Sequence, residues 1–237
     1  MKIFGMIWVC LFGFGCAHSV YIPNTPHQVP VVAKKRWGGQ IGMDLSSAAS
    51  VPLFTDTISN PPVRAQGEVG AVGGAGSSIV AALGIFEPVD IYLTHGLGIR
   101  WQFLGIEDQQ PWKATVFVGN MGSRTSESGS QSGTVEHKAS TRVTGTEYGA
   151  SVGYQRNESL LFYSTLARRQ GQGATEIKQP NAIHQFEDDF SLTTLVFGLQ
   201  FGQPWYFNAE IGGSSIDWKN APSGDVFASS LGFGYRW

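Results

Sequence analysis

Asp90-Ile-Tyr-Leu-Thr-His-Gly-Leu-Gly-Ile-Arg-Trp-Gln-Phe-Leu104 is the stretch on which the fold turns. Ile91, Leu93, Leu97, Ile99, Trp101 and Phe103 fall on one parity, interrupted only by His95. Asp90, Tyr92, Thr94, Gly96, Gly98, Arg100 and Gln102 fall on the other. Successive strand residues point to opposite faces, so the pattern predicts one long strand over 90–104, greasy on one face and wet on the other. Soluble sheets favour strands of about 5–6 residues. A tilted strand that crosses a bilayer needs about 9–11, plus overhang.

The same alternation recurs on both sides. Trp37, Ile41, Met43 and Leu45 oppose Gly38, Gln40, Gly42 and Asp44. Leu195, Phe197, Leu199 and Phe201 share a face, as do Trp205, Phe207, Ala209 and Ile211. Ten strands are predicted, over 36–46, 63–73, 77–86, 90–104, 112–121, 144–156, 159–170, 191–202, 205–216 and 225–237. The reading is all-β: a closed antiparallel up-and-down transmembrane β-barrel of about ten strands, with eight or twelve as the neighbouring even counts. If the first strand starts on the periplasmic side, the connections 47–62, 122–143 and 171–190 face outward and are long. The inward ones, 74–76, 105–111, 157–158 and 203–204, are short, as in outer-membrane barrels. The short outward connection 87–89 is the exception. Trp37, Trp101, Trp112, Trp205 and Trp237 then fall at one level, where indole favours a membrane interface.

Composition supports a barrel and excludes other classes. Charged residues are 14% of the 237 residues, against roughly 25% in a typical soluble domain. Mean hydropathy is near zero and no apolar run reaches 18 residues, so no helical span is predicted. A net charge of −2 offers no basic face for nucleic acid. The two cysteines, Cys10 and Cys16, leave no disulfide or thiolate zinc site in the body of the chain.

Lys2 and the apolar stretch Ile3–Gly15 have the form of a secretory signal. Two cleavage sites compete. Gly13-Phe-Gly-Cys16 resembles a bacterial lipoprotein signal, although Gly13 stands where Leu is usual; the resemblance implies residues 1–15 as signal and Cys16 as the lipidated first mature residue. Ala17-His-Ser19 has the small-x-small form and would end the signal at residue 19. Residues 16–35 form a Pro-rich tether, with Pro23, Pro26 and Pro30 opposing both helix and sheet interior. Cys16-x4-Tyr21-x-Pro23-Asn24 resembles the start of some outer-membrane lipoproteins with barrel bodies. A periplasmic leash is the favoured role for this tether; a plug threaded into the barrel is the alternative. The barrel itself is assigned to 36–237.

The chain ends Ser230-Leu-Gly232-Phe-Gly-Tyr235-Arg-Trp237. Ser230, Gly232, Tyr235 and Trp237 resemble the terminal strand signal of bacterial outer-membrane barrels, with Trp in place of the commoner Phe. That resemblance implies outer-membrane lipid as surroundings and the barrel assembly machinery as partner.

Chemistry is sparse. His18, His27, His95, His137 and His184 lack metal-ligand spacing, and no nucleophile elbow occurs. Gly67–Gly76 has neither the following helix nor the Lys-Ser/Thr pair of a phosphate loop. His184, Glu187, Asp188 and Asp189 in one loop, with Glu136-His137 in another, are the candidate rim acids for a hydrolase or a calcium ion. No cofactor is indicated. Asp44, Arg64, Glu68, Asp90, Arg100, Lys113, Glu147, Glu210 and Arg236 are assigned to the lumen, where balanced charges in a narrow barrel pair and fill it. The favoured function is a non-enzymatic structural or surface-interaction barrel of the outer membrane, its extracellular ligand undefined. A small-solute pore and a rim hydrolase are the alternatives.

Overall fold

The structure is a computed structural model that describes residues 17–32, 36–107, 110–132 and 135–237, with the side chains of 130–136 left aside. Fifteen strands occur among these residues: β1 (His18–Pro23), β2 (Gly39–Ser46), β3 (Ala48–Asp56), β4 (Val63–Arg64), β5 (Gly70–Val72), β6 (Ser78–Phe86), β7 (Val89–Leu93), β8 (Leu97–Leu104), β9 (Trp112–Asn120), β10 (Arg124–Ser132), β11 (Val135–Asn157), β12 (Leu160–Gln179), β13 (Ala182–Phe201), β14 (Trp205–Trp218) and β15 (Gly224–Arg236). Ten of them close an antiparallel ring, β2-β6-β7-β8-β9-β11-β12-β13-β14-β15. The ring is sealed where β15 pairs β2, from Ser230↔Ser46 to Arg236↔Gln40.

Outside the ring the apolar parity meets no protein. Met43, Leu45, Phe197, Phe207, Ile211, Leu231 and Phe233 are all exposed. Such a surface in water would forfeit about 25 cal/mol for each Å² left unburied, so a lipid belt is its natural environment. The stretch from Phe227 to Trp237, at about 3.3 Å per residue and about 40° of tilt, covers roughly 25 Å, the height of such a belt. Trp37, Trp101, Trp112, Trp205 and Trp237 are 50–63% exposed at its lower margin. There Trp205 stacks on Phe233 at 5.4 Å and Trp112 meets Tyr154 at 5.3 Å.

Inside the ring, wall aromatics lie over glycines of the adjacent strand. Tyr163 faces Gly198 and Tyr206 faces Gly234 directly in register. A Cβ on either glycine would come within 2.1 or 2.5 Å of the ring. These close approaches account for part of the chain's glycine richness.

Two of the predicted strands need correction, and the corrections cancel in the count. Segment 90–104 is a hairpin, with β7 and β8 joined across 94–96. The three-residue connection keeps Leu93 and Leu97 on the same parity, so the alternation runs through the turn without a break. His95, the single fault in the apolar face, sits in that turn. Segment 63–73 is not a barrel strand: only β4 and β5 are extended, and both pair β3 in a separate sheet with β1. The ring therefore still has ten members. The topology shifts with it. The connection 87–88 moves to the short-turn rim, 94–96 replaces it as the short connection at the long-loop rim, and 74–76 lies within an excursion, 47–77, at that same long-loop rim.

The expected outer loops 122–143 and 171–190 are largely strand. β11, β12 and β13 run on past the closed ring, with β10 folded back along β11. Together they form a four-stranded sheet standing above the rim. Its outward face is polar, and its inward face mixes Thr141, Gly173 and Thr175 with Ala139, Val143, Ile177 and Phe186, which blurs the signal that period-2 reading depends on.

Residues 18–32 occupy the lumen. A periplasmic leash is not what the structure holds. The segment starts among the projecting strands, where His18 bonds Ser128 and Thr141, and runs down to Val31 and Val32 at the short-turn end.

Candidate functional site

The lumen divides into an apolar upper half and a polar lower half. In the upper half β1 pairs β3, and Val20, Ile22, Val51, Leu53 and Phe54 pack against the wall residues Val143, Ile177, Leu192, Ile216 and Trp218. Trp218 stacks on Phe190 at 5.0 Å. Sequence reading missed β3 because Pro52 interrupts it and because it is covered on both faces, so it has no alternation to show.

In the lower half the insert is a single extended segment, held mainly through its backbone. Arg169 donates to the carbonyls of Pro23 and Thr25, the latter at 3.0 Å. Ser214 donates to Asn24 O at 3.1 Å. Ser151 and Thr165 donate to Gln28 O at 2.9 and 2.7 Å. Arg100 donates to Val29 O at 2.9 Å, and Gln102 Oε1 accepts from Val32 N at 3.0 Å. Prolines deprive the segment of some N–H groups, and its carbonyls still find donors; buried backbone oxygens need them.

Charges close around this segment. Arg100 meets Asp90 through two bonds, 2.6 and 3.1 Å, directly across the β7–β8 hairpin. Arg169 meets Glu147 at 2.6 Å. His27 places Nδ1 2.9 Å from Asp44 and 3.6 Å from Glu210, two carboxylates from different strands. Glu210 also accepts from Tyr163 at 2.9 Å and Ser230 at 3.0 Å. Lys113 donates to Gly105 O at 2.6 Å.

Asp44, Asp90, Arg100, Glu147 and Glu210 are thus buried in the lumen, and Arg236 lines its lower opening. Arg64 and Glu68 are corrected. Glu68 is exposed in the 47–77 excursion. Arg64 lies between Phe54 and Phe186, 4.7 Å from each ring, and pairs Asp188 at 2.6 Å. Arg169 and His27 are the lumen residues the sequence reading missed. Arg168-Arg169 sits in a strand, so one of the two must point inward, and that was the available signal for Arg169.

The terminal strand residues occupy distinct places. Ser230 and Gly232 are buried against the lumen, Tyr235 is half-buried, and Trp237 is exposed with its indole N–H donating to Trp37 O at 3.0 Å. Cys16 lies outside the described residues. At the upper rim Asp188 is bound by Arg64 and by Asn220 at 2.8 Å, while His184 stacks on Phe186. Among the described residues no group of three or more His, Cys, Asp or Glu side chains could hold a metal ion. Asp189 accepts from Gln172 at 3.2 Å, and Glu187 is exposed.

A closed ring with an apolar exterior, an aromatic girdle and a filled lumen defines the outer-membrane type of β-barrel. No protein-family model matches the chain, and no curated protein does. Among solved structures it is similar to Ail, the attachment invasion locus protein of Yersinia pestis, at 12% identity and TM-score 0.38, over 84% of this chain and 97% of that one. The structure of Ail in complex with the heparin analogue sucrose octasulfate matches at 13% identity, with the same TM-score and coverage.

Proposed function

We propose that the chain is a bacterial outer-membrane protein of the surface-interaction class, exported by its N-terminal signal, whose working surface is the sheet formed by β10 and the upper parts of β11, β12 and β13. One observation carries this reading: the sheet stands clear of the ring with ladder edges open. Among the described residues β10 pairs β11 alone, and the β13–β14 ladder runs only from Phe190 downward, extended by Lys219 N donating to Asp189 O, which leaves 182–188 as an edge. Unpaired strand edges accept an additional extended chain. The filled lumen favours this reading over a solute pore, and the bound state of Asp188 favours it over a rim hydrolase. Replacing 172–187 by a two-residue turn should leave a closed barrel and abolish binding to immobilised proteins or glycans that the intact, detergent-folded protein retains. The reading fails if external protease on whole cells cannot reach the β12–β13 tip, or if the shortened protein binds as before.

Lipidation of Cys16 belongs to the same proposal. Labelled palmitate should enter the wild type and not Cys16→Ser. A mature N-terminus at Val20 without lipid would replace this with the second cleavage site.

A further inference from the structure

At the short-turn face the lumen opens into a cavity of about 620 Å³, within the range of small-molecule sites. The insert closes it from above at Val31 and Val32, so it is a blind cup rather than the mouth of a passage. Its inner wall carries two cations of different standing. Arg100 is neutralised by Asp90 at 2.6 Å. Arg236 is not balanced in this way: its Nη2 donates to two neutral amides, Gln200 Oε1 at 2.8 Å and Gln40 Oε1 at 3.3 Å, and its Cζ lies 5.6 Å from the Tyr206 ring centroid. Among the described residues Nε and Nη1 of Arg236 have no acceptor. Arg156 and Glu158 are exposed at the mouth, one of each sign. Among the described residues the cup is thus lined by one positive charge without an ionic partner inside it, by side-chain amides including Gln155 and Gln203, and by apolar surface from Val31 and Trp237.

We propose that this cup binds a small monocarboxylate, its carboxylate accepting from the free Nη1 of Arg236 and its polar remainder bonded by the amides of Gln155 and Gln203. A hydrogen bond from a guanidinium N–H to a carboxylate is charge-assisted and about twice as strong as a neutral one. A single uncancelled charge suits a monoanion better than a phosphate of −1.5 to −2 at neutral pH. The volume admits a ligand of acylated amino-acid size. The site lies at the opposite end of the barrel from the projecting sheet and is independent of that sheet's role.

Calorimetric titration of the full chain in detergent decides the matter, using N-acetylleucine, its uncharged amide and inorganic phosphate as probes. N-acetylleucine should bind saturably, and the amide about 10- to 100-fold more weakly, the range for losing a hydrogen bond to a charged group. Arg236→Gln should weaken the acid by the same factor and leave the amide unchanged. Gln200→Glu keeps the arginine and the side-chain shape but gives Arg236 an internal carboxylate, and it should abolish the preference for acid over amide. It also decides the question alone if Arg236→Gln does not assemble, because it lies outside the terminal strand. The proposal is overturned by absent saturable binding of the acid, by equal binding of acid and amide, by phosphate binding more tightly than the acid, or by a Gln200→Glu protein that still prefers the acid.

Discussion

Arg100 shows how single residues hold the lumen together. Its guanidinium bonds Asp90 from one side and Val29 O from the other, so it ties the β7–β8 hairpin to the insert. Arg100→Ala removes a buried partner from a charge and a donor from a carbonyl, which costs about 3–5 kcal/mol. The thermal midpoint in detergent should fall accordingly. Leu97→Ala, on the lipid-facing side and half exposed, should change it far less. Equal effects from the two would separate Arg100 from the stability of the insert. His18 supplies a pH dependence at the upper end, above the ring. Burial holds its imidazole down to about 4. The folded state keeps the ring neutral where an unfolded chain would protonate it near 6.5. Stability is therefore full above about pH 6.5 and declines as pH falls from there to about 4, by at most about 3 kcal/mol. His18→Gln should flatten the stability curve in that window; an unchanged slope would assign it to other groups.

At the scale of elements, the insert and the last strand make separate predictions. Deleting 17–32 removes Val20 and Ile22 from the upper core and, from the lower half, the carbonyls that Arg169, Ser214, Ser151, Thr165 and Arg100 bond. The barrel should lose stability and, in planar bilayers, gain an ion conductance that the intact chain lacks. Addition of the 17–32 peptide should suppress it. A truncated barrel that stays closed and silent would mean that the wall side chains fill the lumen unaided. For β15, Trp237→Asp places a charge at the girdle, where Trp205, Phe233 and Tyr235 cluster, and at the residue that closes onto Gly39. It should block assembly, read as loss of the faster-running unheated band on a denaturing gel. Normal assembly would remove the terminal strand from the signal.

The whole molecule was legible in unequal parts. Wherever a strand meets lipid on one side and lumen on the other, alternation revealed it, and the seal of β15 onto β2 follows from two such strands. The β7–β8 turn was hidden by parity, since an odd-length connection leaves period 2 intact. β3 was hidden because both its faces are covered. The insert was the hardest to foresee: the wall grips carbonyls, and every residue carries a carbonyl, so its partners left no mark in residue type. His27 between Asp44 and Glu210 is the chief side-chain exception, and a lone histidine in a Pro-rich segment gives no hint of two carboxylates contributed by distant strands.

The path of the insert has a mechanical consequence. The chain enters at the long-loop rim, descends through the ring and leaves at the opposite rim, where residues 36–38 join it to β2. Its lower end is covalently fixed to the wall, so the insert can withdraw only by being drawn downward, with its free end passing through the bore last. An acyl group on Cys16 would then act as a toggle across the upper opening.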